Sequence, residues 1–524
     1  MLLDVDALAC DRPLQTEVCI IGAGAVGLAI AARLARAGRN VVVLEGGGAT
    51  LESASQDLQH GISVGHPFHN IGVGRYRVLG GSTTFWGGQV MPLGKLPLQT
   101  RKWMGEDGWP IAPEELDPYY KTAYGLLGLG DAEPQDQKVW NRLGIAPDLG
   151  RCVELTLTRW VPQRNFSRLF KSDINNCPKL KVVVHANVTG FGMDERRKQV
   201  TRVEAKSLSG RTVMVTAATV VLACGSLEIP RLLLHPSADG ERLPWHANEW
   251  LGRGLIDHLH GNLAEVDVTD HDEFHRLFDS IYLDGFKYYP RIRLSPRLQE
   301  AEQTIDVSGE FFYETEYTQH LENIKMFLRS LSDARLPDGI HKLPGHVLSV
   351  LRISAPLVWR YLMQRRSYKP RNARVRLGVS SEQLPLANSR VSLGHELDAI
   401  GMRRIVVDWR IDGREVRSLA IFARAVGDAL TTRKVAHLRL DDDLANESPA
   451  FLSKLSDGIH QMGTTRMGST SDKGVVDRDL RVYGTDNLYV AGQAVFPFSG
   501  IANPTFTAIA LGLRLCDHVE CGHA

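Results

Sequence analysis

A glycine-rich stretch near the N-terminus, residues 18–45, constrains the fold of this chain more than any other segment. It reads VCIIGAGAVGLAIAARLARAGRNVVVLE, in which an apolar run of strand length precedes a G-x-G-x-x-G turn. A helix-period segment follows, and a second apolar run ends at an acidic residue, Glu45. Strand, glycine turn, helix, strand and terminal acid in this order are typical of a βαβ unit that binds a dinucleotide. The sequence therefore predicts an open, mostly parallel sheet with a nucleotide at its edge.

The three glycines of this turn have different predicted roles. Gly22 permits the tight turn, Gly24 lets the backbone approach a pyrophosphate, and Gly27 lets the helix and the strand pack closely. The pyrophosphate would lie at the helix N-terminus, where backbone amides and the helix dipole favour negative charge. Glu45, eighteen residues after Gly27, can accept hydrogen bonds from both ribose hydroxyls and would repel a 2′-phosphate, which disfavours NADP. The motif by itself does not distinguish FAD from NAD.

The composition excludes several classes of protein. The 524 residues suffice for two domains, and 61 basic against 60 acidic residues give a net charge of +1, so nucleic acid is not expected as a partner. The seven cysteines are scattered without a C-x-x-C pair, which argues against a zinc site and favours a reducing compartment. The N-terminus lacks the pattern of a signal peptide, and no apolar run reaches membrane-spanning length. We therefore expect a cytoplasmic protein without a membrane span, and the interrupted apolar run at 347–363 is expected to form a core or lid helix.

Two further segments have a composition that suits contact with a cofactor. Residues 80–89, GGSTTFWGGQ, combine glycines and small hydroxyl residues, so their backbone amides can approach a planar or phosphorylated ligand. The aromatic residues Phe85 and Trp86 in this segment argue against its full exposure. Residues 218–226 form a predicted buried strand that runs into a small-residue turn, and open α/β sheets bind ligands at such carboxyl ends.

The chain changes character between about residues 265 and 450, where helical and strand-like segments mix with charge. Strand composition in this region suggests an antiparallel sheet from the segments 373–379, 389–393 and 404–410. A helical pattern is also predicted earlier, around 107–127, with Pro113 and Glu114–Glu115 as helix-start residues. Glycine-rich sequence returns at 458–468, and Asn503 and Pro504 are a plausible N-cap and first residue of a final helix. The region between about residues 265 and 450, called the middle block below, is therefore the expected substrate domain.

Taken together, these motifs resemble those of the glucose–methanol–choline (GMC) flavoprotein oxidoreductases over nearly the whole chain. Besides the N-terminal motif, the resemblance rests on GGSTTFWGG, DGWPI, VVLACGSLEIPRLLL, LGRGLIDHL, HQMGTTRMG and NPTFTAIALGLRLCDHV. The segments STTFWGGQ and EQLPLANSRVSL are most similar to the bacterial branch of pyranose oxidases and of fructose and glucoside dehydrogenases. The resemblance implies an FAD-dependent enzyme that oxidises CH–OH groups, either a dehydrogenase or an oxidase.

The fold that the resemblance implies is α/β. It consists of a Rossmann-like FAD-binding domain of the GMC and p-hydroxybenzoate-hydroxylase type, with an inserted α+β substrate domain that contains an antiparallel sheet. The FAD-binding domain is expected to be discontinuous, over residues 1–100, 180–265 and 455–524. The substrate-binding domain is expected over residues 101–179 and 266–454.

The resemblance also implies which residues contact FAD. The family holds the ADP moiety on the N-terminal motif and extends the isoalloxazine ring toward the second glycine-rich segment and the C-terminal segments. The residues expected to bind FAD are Gly22, Gly24, Gly27, Glu45, Gly81, Ser82, Trp86, Gly87, Gly88, Val188, Ala223, Gly225, Gly492, Gln493, Asn503, Pro504 and Thr505. Phe85 occupies the place at which pyranose oxidases carry a histidine that bonds covalently to the flavin. Phenylalanine cannot form this bond, so non-covalent FAD is expected.

Oxidation of an alcohol requires a positioned base, because the hydroxyl proton is too weakly acidic to leave unaided. In the GMC family the base is the histidine of the H-x-M-G-T segment, which is His460 in this chain. The second catalytic position of the family, 43 residues later, is a histidine or an asparagine and is Asn503 here. An amide does not titrate, so Asn503 can orient or polarise the substrate oxygen but cannot be the base. His258 and His260 lack a clear third ligand, so no metal is expected.

The preferred functional hypothesis is oxidation of a ring secondary hydroxyl of a pyranose sugar or glycoside, and its basis is the resemblance to one branch of the family. Oxidation of a non-sugar alcohol in a biosynthetic pathway is the alternative, and a flavin-binding protein without turnover is a third hypothesis that the pair His460 and Asn503 disfavours. Phe85 and Trp86 could face a sugar ring or could equally pack beneath the FAD. The expected electron acceptor is oxygen or an artificial or quinone-type acceptor, and a small partner subunit is an open alternative.

Overall fold

The computed structural model describes residues 1–8, 12–105, 107–130, 136–237, 239–314, 359–367 and 369–521. Residues 347–358 of the helix predicted at 347–363 lie outside the described residues. Within the described ranges the strands form three sheets, of eight, nine and three strands. No helix in these ranges combines the length and the apolar character that a membrane crossing requires.

The eight-stranded sheet is built around the N-terminal motif. Its strands lie in the order Leu2–Asp4, Leu180–Val184, Val41–Leu44, Leu14–Ile21, Thr212–Leu222, Val200–Lys206 and Asn187–Met193, and Leu488–Val490 pairs with Thr212–Leu222. The first five strands and Leu488–Val490 run parallel to their neighbours, whereas the last two pair antiparallel. Val41–Leu44 and Leu488–Val490 are wholly buried apolar strands, as expected for a parallel sheet that is covered on both faces.

Two long helices from opposite ends of the chain pack together beside this sheet. Ala25–Arg36 follows the glycine turn, and Pro504–Cys521 is the C-terminal helix. Their contact is close because a Cβ atom at Gly512 would lie only 3.1 Å from the side chain of Ile30. This packing brings the start of the C-terminal helix to the N-terminal motif.

The nine-stranded sheet is antiparallel throughout and contains much of the middle block. Its strands lie in the order Ala436–Leu440, Leu259–Val268, Arg374–Ser381, Val307–Glu314, Phe286–Leu294, Val153–Trp160 and Gln89–Val90, with Ile281–Leu283 and Ser456–Asp457 paired at its margins. Helix Arg414–Thr432 covers one face, where a Cβ atom at Gly309 would lie 2.9 Å from the Phe422 ring. The antiparallel sheet expected in the middle block is therefore present.

The membership of this sheet differs from the prediction. Of the three segments expected to form it, only the first joins it, as Arg374–Ser381. The other two, Arg390–Leu397 and Arg403–Trp409, pair with each other in a separate small sheet, where Arg403–Trp409 also pairs parallel to Gly61–Gly65. A hairpin signal identifies which strands are adjacent along the chain but does not indicate which larger sheet they join.

Short helices and turns complete the fold. They are Val5–Ala7, Ser53–Asp57, His69–Ile71, Gly81–Thr84, Lys95–Leu98, Lys102–Met104, Pro113–Leu116, Asp117–Leu126, Asp136–Leu143, Phe166–Leu169, Lys171–Asn176, Glu228–Leu234, Pro244–Ala247, His271–Phe278, Pro296–Glu302, Asp442–Ala445, Pro449–Lys454 and Gln493–Val495. The helical residues of the pattern predicted around 107–127 begin at Pro113, which is the predicted helix start. Pro113 begins this helical stretch since its fixed φ suits a first helical position.

Candidate active site

A cavity of about 540 Å³ lies at the carboxyl ends of the parallel strands. This volume is within the range of roughly 300–1,000 Å³ that is usual for cofactor and ligand sites. Residues expected to bind FAD that line the cavity are Gly22, Gly24, Glu45, Gly81, Ser82, Trp86, Gly87, Val188, Ala223, Gly225, Gly492, Gln493, Pro504 and Thr505. His460 lines it as well, whereas Gly27, Gly88 and Asn503 are not part of its wall.

The three glycines of the N-terminal motif differ in what surrounds them. Gly22 has a φ of +105°, and a Cβ atom there would lie 2.7 Å from the carbonyl oxygen of Ala223. A Cβ atom at Gly27 would lie 2.0 Å from the Gly22 carbonyl oxygen, so only glycine allows this contact between the helix and the turn. At Gly24, by contrast, a Cβ atom would meet nothing within 4 Å. Open space in front of Gly24, at the N-terminus of a 12-residue helix, fits the close approach of a pyrophosphate.

The second glycine-rich segment lies directly against the first. A Cβ atom at Gly81 would be 2.9 Å from the Cα atom of Gly24, so the two backbones meet and form one cradle. Trp86 is partly buried, and its indole nitrogen donates to the carbonyl of Arg164 at 2.7 Å. Phe85 is 55% exposed and stacks on Tyr76 with ring centroids 4.1 Å apart, so it packs on another wall residue of the cavity and not into the core.

Glu45 is held rigidly by backbone amides. Its Oε2 accepts a hydrogen bond from the amide of Ala23 at 2.8 Å, and its Oε1 accepts one from the amide of Gly47 at 2.9 Å. Burial raises the pKa of Glu45, and these two bonds oppose that effect. Each carboxylate oxygen can accept a second hydrogen bond, so the side chain can still receive ribose hydroxyls.

A cluster of charged residues in the cavity wall was not predicted from the sequence. Arg75, Arg77 and Arg231 surround Glu228, with nitrogen–oxygen distances of 2.5, 3.4 and 3.3 Å, and all four residues line the cavity. Burial alone would raise the pKa of Glu228, but the three guanidinium charges lower it to about 2. Arg231 also pairs with Asp398 at 2.5 Å. Three cations against two carboxylates leave a net positive charge, which suits a pyrophosphate.

Asp257 fixes the loop that carries His460. The backbone amide of His460 donates to Oδ1 and Oδ2 of Asp257 at 2.9 and 3.0 Å, and Ile459, just before it, has a φ of +62°. Asp257 is fully buried, and burial raises its pKa to about 8 even though these amide bonds oppose the shift. The loop is therefore anchored through its backbone, which leaves the imidazole free to face other groups.

Three histidines come together at this loop. Nδ1 of His460 lies 3.0 Å from Nδ1 of His258, and the ring of His260 is centred 6.4 Å from the His460 ring. Burial, with the nearby charges of His260 and Arg291, lowers the pKa of His460 to about 3. The imidazole is therefore neutral at pH 7, as a general base must be. In the part of the chain that the structure describes, no group of three or more histidine, cysteine or acidic residues could hold a metal ion.

Asn503 and His460 are brought together although 43 residues separate them. Nδ2 of Asn503 lies 3.4 Å from Nε2 of His460. Asn503 directly precedes the helix Pro504–Cys521, as predicted, but its buried Oδ1 accepts no hydrogen bond from any described residue. The predicted capping bond is therefore absent, because the side chain turns toward His460 and away from the helix amides.

Two known families match segments of the chain that contribute residues to this cavity. Residues 385–512 match the GMC oxidoreductase family, and residues 17–69 match the FAD dependent oxidoreductase family. About a quarter of the chain, at its C-terminal end, is thus similar to the GMC oxidoreductases. Its structure is similar to that of pyridoxine 4-oxidase from Mesorbium loti, with a TM-score of 0.60 at 17% identity over 97% of this chain and all of the other. The predictions of the family, of the fold class and of FAD as the cofactor are thereby confirmed.

Curated relatives of this protein differ in how much of the chain they match. It is 30% identical to C-glycoside 3-oxidase from Microbacterium trichothecenolyticum, over 28% of this chain and 27% of that relative. The chain therefore aligns with only about a quarter of the length of that oxidase. It is 24% identical to 2-methyl-1,2-propanediol dehydrogenase from Mycolicibacterium austroafricanum, over 97% of this chain and 95% of the relative.

Proposed function

We propose that this protein oxidises an alcohol to a carbonyl compound, with His460 as the general base. The observation that supports this function best is the neutral imidazole of His460 in the wall of the cavity that the glycine-rich cradle also lines. When bound, FAD would supply the acceptor for the hydride that leaves the carbinol carbon. The protein itself must then take up the hydroxyl proton, orient the alcohol and exclude water.

The neighbours of His460 indicate which of its nitrogens acts. The Asn503 amide group is a donor, so Nε2 of His460, which faces it at 3.4 Å, must be the unprotonated nitrogen. The ring proton then lies on Nδ1 and is donated to Nδ1 of His258 at 3.0 Å. Nε2 is therefore the proposed proton acceptor, and Asn503 would hold the substrate oxygen beside it.

The proposed FAD contacts follow the walls of the cavity. Gly22, Gly24 and Glu45 would hold the ADP moiety, and Val188 would meet the adenine. Gly492, Pro504 and the segment from Gly81 to Gly88 would hold the remainder. Phe85 carries no nucleophilic atom, so we propose that FAD is bound non-covalently. The net positive charge of the Arg75, Arg77, Arg231 and Glu228 cluster supports the same placement.

We propose a ring secondary hydroxyl of a pyranose or glycoside as the substrate group. The similarity to C-glycoside 3-oxidase supports this choice, although it covers about a quarter of either chain. The similarity to 2-methyl-1,2-propanediol dehydrogenase extends over nearly the whole chain and supports the second candidate, a non-sugar alcohol. The names of these relatives include both an oxidase and a dehydrogenase, so oxygen and a quinone-type compound both stay candidates for the acceptor. A cytoplasmic location and a small partner subunit likewise stay predictions.

An anaerobic stopped-flow screen of the holoenzyme tests this proposal. Pyranoses, glycosides and simple alcohols are mixed with it, and bleaching of the flavin absorbance is followed. Each reduced sample is then mixed with oxygen or with a quinone. We expect glycosides to bleach the wild-type flavin and His460→Ala to slow that bleaching. Bleaching by simple alcohols alone would favour the second candidate, and no bleaching by any alcohol would refute the proposed function.

A further inference from the structure

One face of the nine-stranded sheet is polar beside His460. The register places His260, Ser380, Ser308 and Arg293 in one row across four strands. Side chains alternate along a strand, so Arg291 and Glu310, each two residues from this row, point to the same face. The intervening residues, such as Gly309, face helix Arg414–Thr432 instead. We call the residues His260, Ser380, Ser308, Glu310 and Arg291 the polar wall.

Arg291 is an unusual member of the polar wall, because it is a buried cation for which the described residues provide no ion-pair partner. It is 5% exposed, its buried Nε has no hydrogen-bond partner, and its guanidinium forms no ion pair with any residue that the structure describes. Its charge lowers the pKa of His460, and also that of His260 and His258. The guanidinium is thus within electrostatic reach of the proposed base. Burial of a charged group with an unused hydrogen-bond donor is costly, so a polar group that accepts hydrogen bonds from Arg291 is expected.

Glu310 is the matching acid on the neighbouring strand. It is half-buried and makes no ion pair with any described residue, but it is within hydrogen-bond reach of the Tyr289 hydroxyl. Burial, together with the charge of Glu310 and this hydrogen bond, raises the pKa of Tyr289. Other buried charges on or beside this sheet behave differently, since Arg293 pairs with Asp306 at 3.6 Å and Arg101 pairs with Glu382 at 2.6 Å. Arg291 and Glu310 are therefore exceptions in a region where the other charges are neutralised.

We propose that Arg291 and Glu310 are specificity residues that bind hydroxyl groups on the non-reacting part of a polyhydroxylated substrate. The proposal rests on the proposed alcohol oxidation at His460. A hydroxyl group both donates and accepts, so a guanidinium donor and a carboxylate acceptor can hold two hydroxyls of one molecule. The opposite charges cancel, so the wall suits a neutral substrate better than an anionic one.

An exposed aromatic ring beside the pair supports the same class of substrate. Phe312 follows Glu310 on the same face, is 48% exposed, and covers Gly378, where a Cβ atom would clash with its ring. An aromatic face suits the C–H surface of a sugar ring. A small alcohol with a single hydroxyl could not engage both the reacting site and these groups, so the wall predicts selection for sugars.

The test compares Arg291→Met and Glu310→Gln with a control, Glu314→Gln, which makes the same change four residues along the same strand. The probes are a panel of neutral methyl hexopyranosides, glucuronate, and cyclohexanol as a single-hydroxyl alcohol. Flavin occupancy and the melting temperature are measured first, to establish that each variant is folded and loaded. Glycoside binding to the oxidised holoenzyme is then measured by calorimetry, and flavin reduction by stopped flow.

We expect Arg291→Met and Glu310→Gln each to weaken glycoside binding at least tenfold and to raise KM more than they lower kcat. Reduction by cyclohexanol is measured at pH 8, where His460 stays neutral without the Arg291 charge because burial still lowers its pKa, and it should be unchanged. Glu314→Gln should behave as the wild type. The proposal would be refuted if the variants slowed flavin reduction by cyclohexanol as much as reduction by glycosides. It would also be refuted if neither variant weakened glycoside binding. A wild type that prefers glucuronate, or that binds no glycoside, would also refute it. Glycoside binding without flavin reduction would instead refute the proposed function and leave the specificity pair standing.

Discussion

Alanine substitutions at two glycines of the N-terminal motif should separate cofactor binding from folding. Gly24 has a φ of −81°, which any residue can adopt, and a Cβ atom there would meet nothing within 4 Å. Gly24→Ala should therefore fold normally while its methyl group enters the space that the pyrophosphate needs. Gly27 differs, because its Cβ atom would lie 2.0 Å from the backbone oxygen of Gly22. Backbone cannot rotate away as a side chain can, so Gly27→Ala must displace the helix.

The expected magnitudes follow from these contacts. Loss of a hydrogen bond from a backbone amide to a charged phosphate costs about 1.5–3 kcal/mol, which corresponds to a roughly 10- to 150-fold higher Kd for FAD in Gly24→Ala. Its free energy of unfolding without FAD should change by less than about 1 kcal/mol, since glycine and alanine differ modestly at a helix start. Gly27→Ala gains up to about 1 kcal/mol of helix propensity but incurs about 1–3 kcal/mol of overpacking, so the FAD-free protein should lose stability.

The assay uses FAD-free protein for each variant. Titration with FAD, followed by quenching of flavin fluorescence, gives Kd, and urea unfolding gives the free energy of unfolding. Wild-type affinity for FAD in Gly24→Ala would refute the role of Gly24. A loss of FAD-free stability in Gly24→Ala as large as that in Gly27→Ala would refute the distinction between the two glycines.

The remaining predictions concern the catalytic groups and the state of the cofactor. His460→Ala should retain FAD, but substrate should reduce the flavin about 100- to 10,000-fold more slowly. Asn503→Ala should slow flavin reduction less, because it removes a hydrogen bond and not the proton acceptor. Equal decreases in the reduction rate would contradict this division of roles. Because the pKa of His460 is lowered to about 3, the base stays unprotonated down to about that pH. Protonation of His460 should therefore not lower kcat/KM between pH 8 and pH 5. A decline in kcat/KM centred near pH 6.5 would contradict the assignment of His460 as the base. Acid precipitation should release all FAD into the supernatant, and yellow colour retained on the precipitate would show a covalent bond that the Phe85 argument does not allow.

The N-terminal motif could be predicted from the sequence because its signals are local. The strands predicted at 18–21 and 41–44 are found as the end of Leu14–Ile21 and as Val41–Leu44. Glycine positions, apolar runs and the terminal acid all lie within one βαβ unit, so their spacing alone determines the arrangement. Gly492 and Pro504 are far away in sequence, and only the family resemblance assigned them to this site. The domain boundaries, including 101–179 and 266–454 for the substrate domain, stay predictions.

The charged residues of the cavity could not be predicted in the same way. Arg75 and Arg77 precede the GGST segment and Glu228 begins a helix, but nothing in their spacing shows that they meet. The same is true of His258 and His460, whose contact depends on the loop anchored by Asp257. Such contacts depend on how separate elements pack, which a pattern read along one chain does not contain.

The register of the sheet explains why the polar wall could not be predicted from the sequence. Arg291 belongs to the strand Phe286–Leu294, whose mixture of aromatic, basic and apolar residues predicts a strand without indicating a function. A shift of the register by one residue would turn Arg291 toward helix Arg414–Thr432 and leave its charge in an apolar layer, so the observed register is strongly favoured. The same pairing that keeps this cation out of the apolar core presents it, with Glu310, on the face beside His460. One register thus keeps the charge outside the core and also places it where we propose that it recognises the substrate.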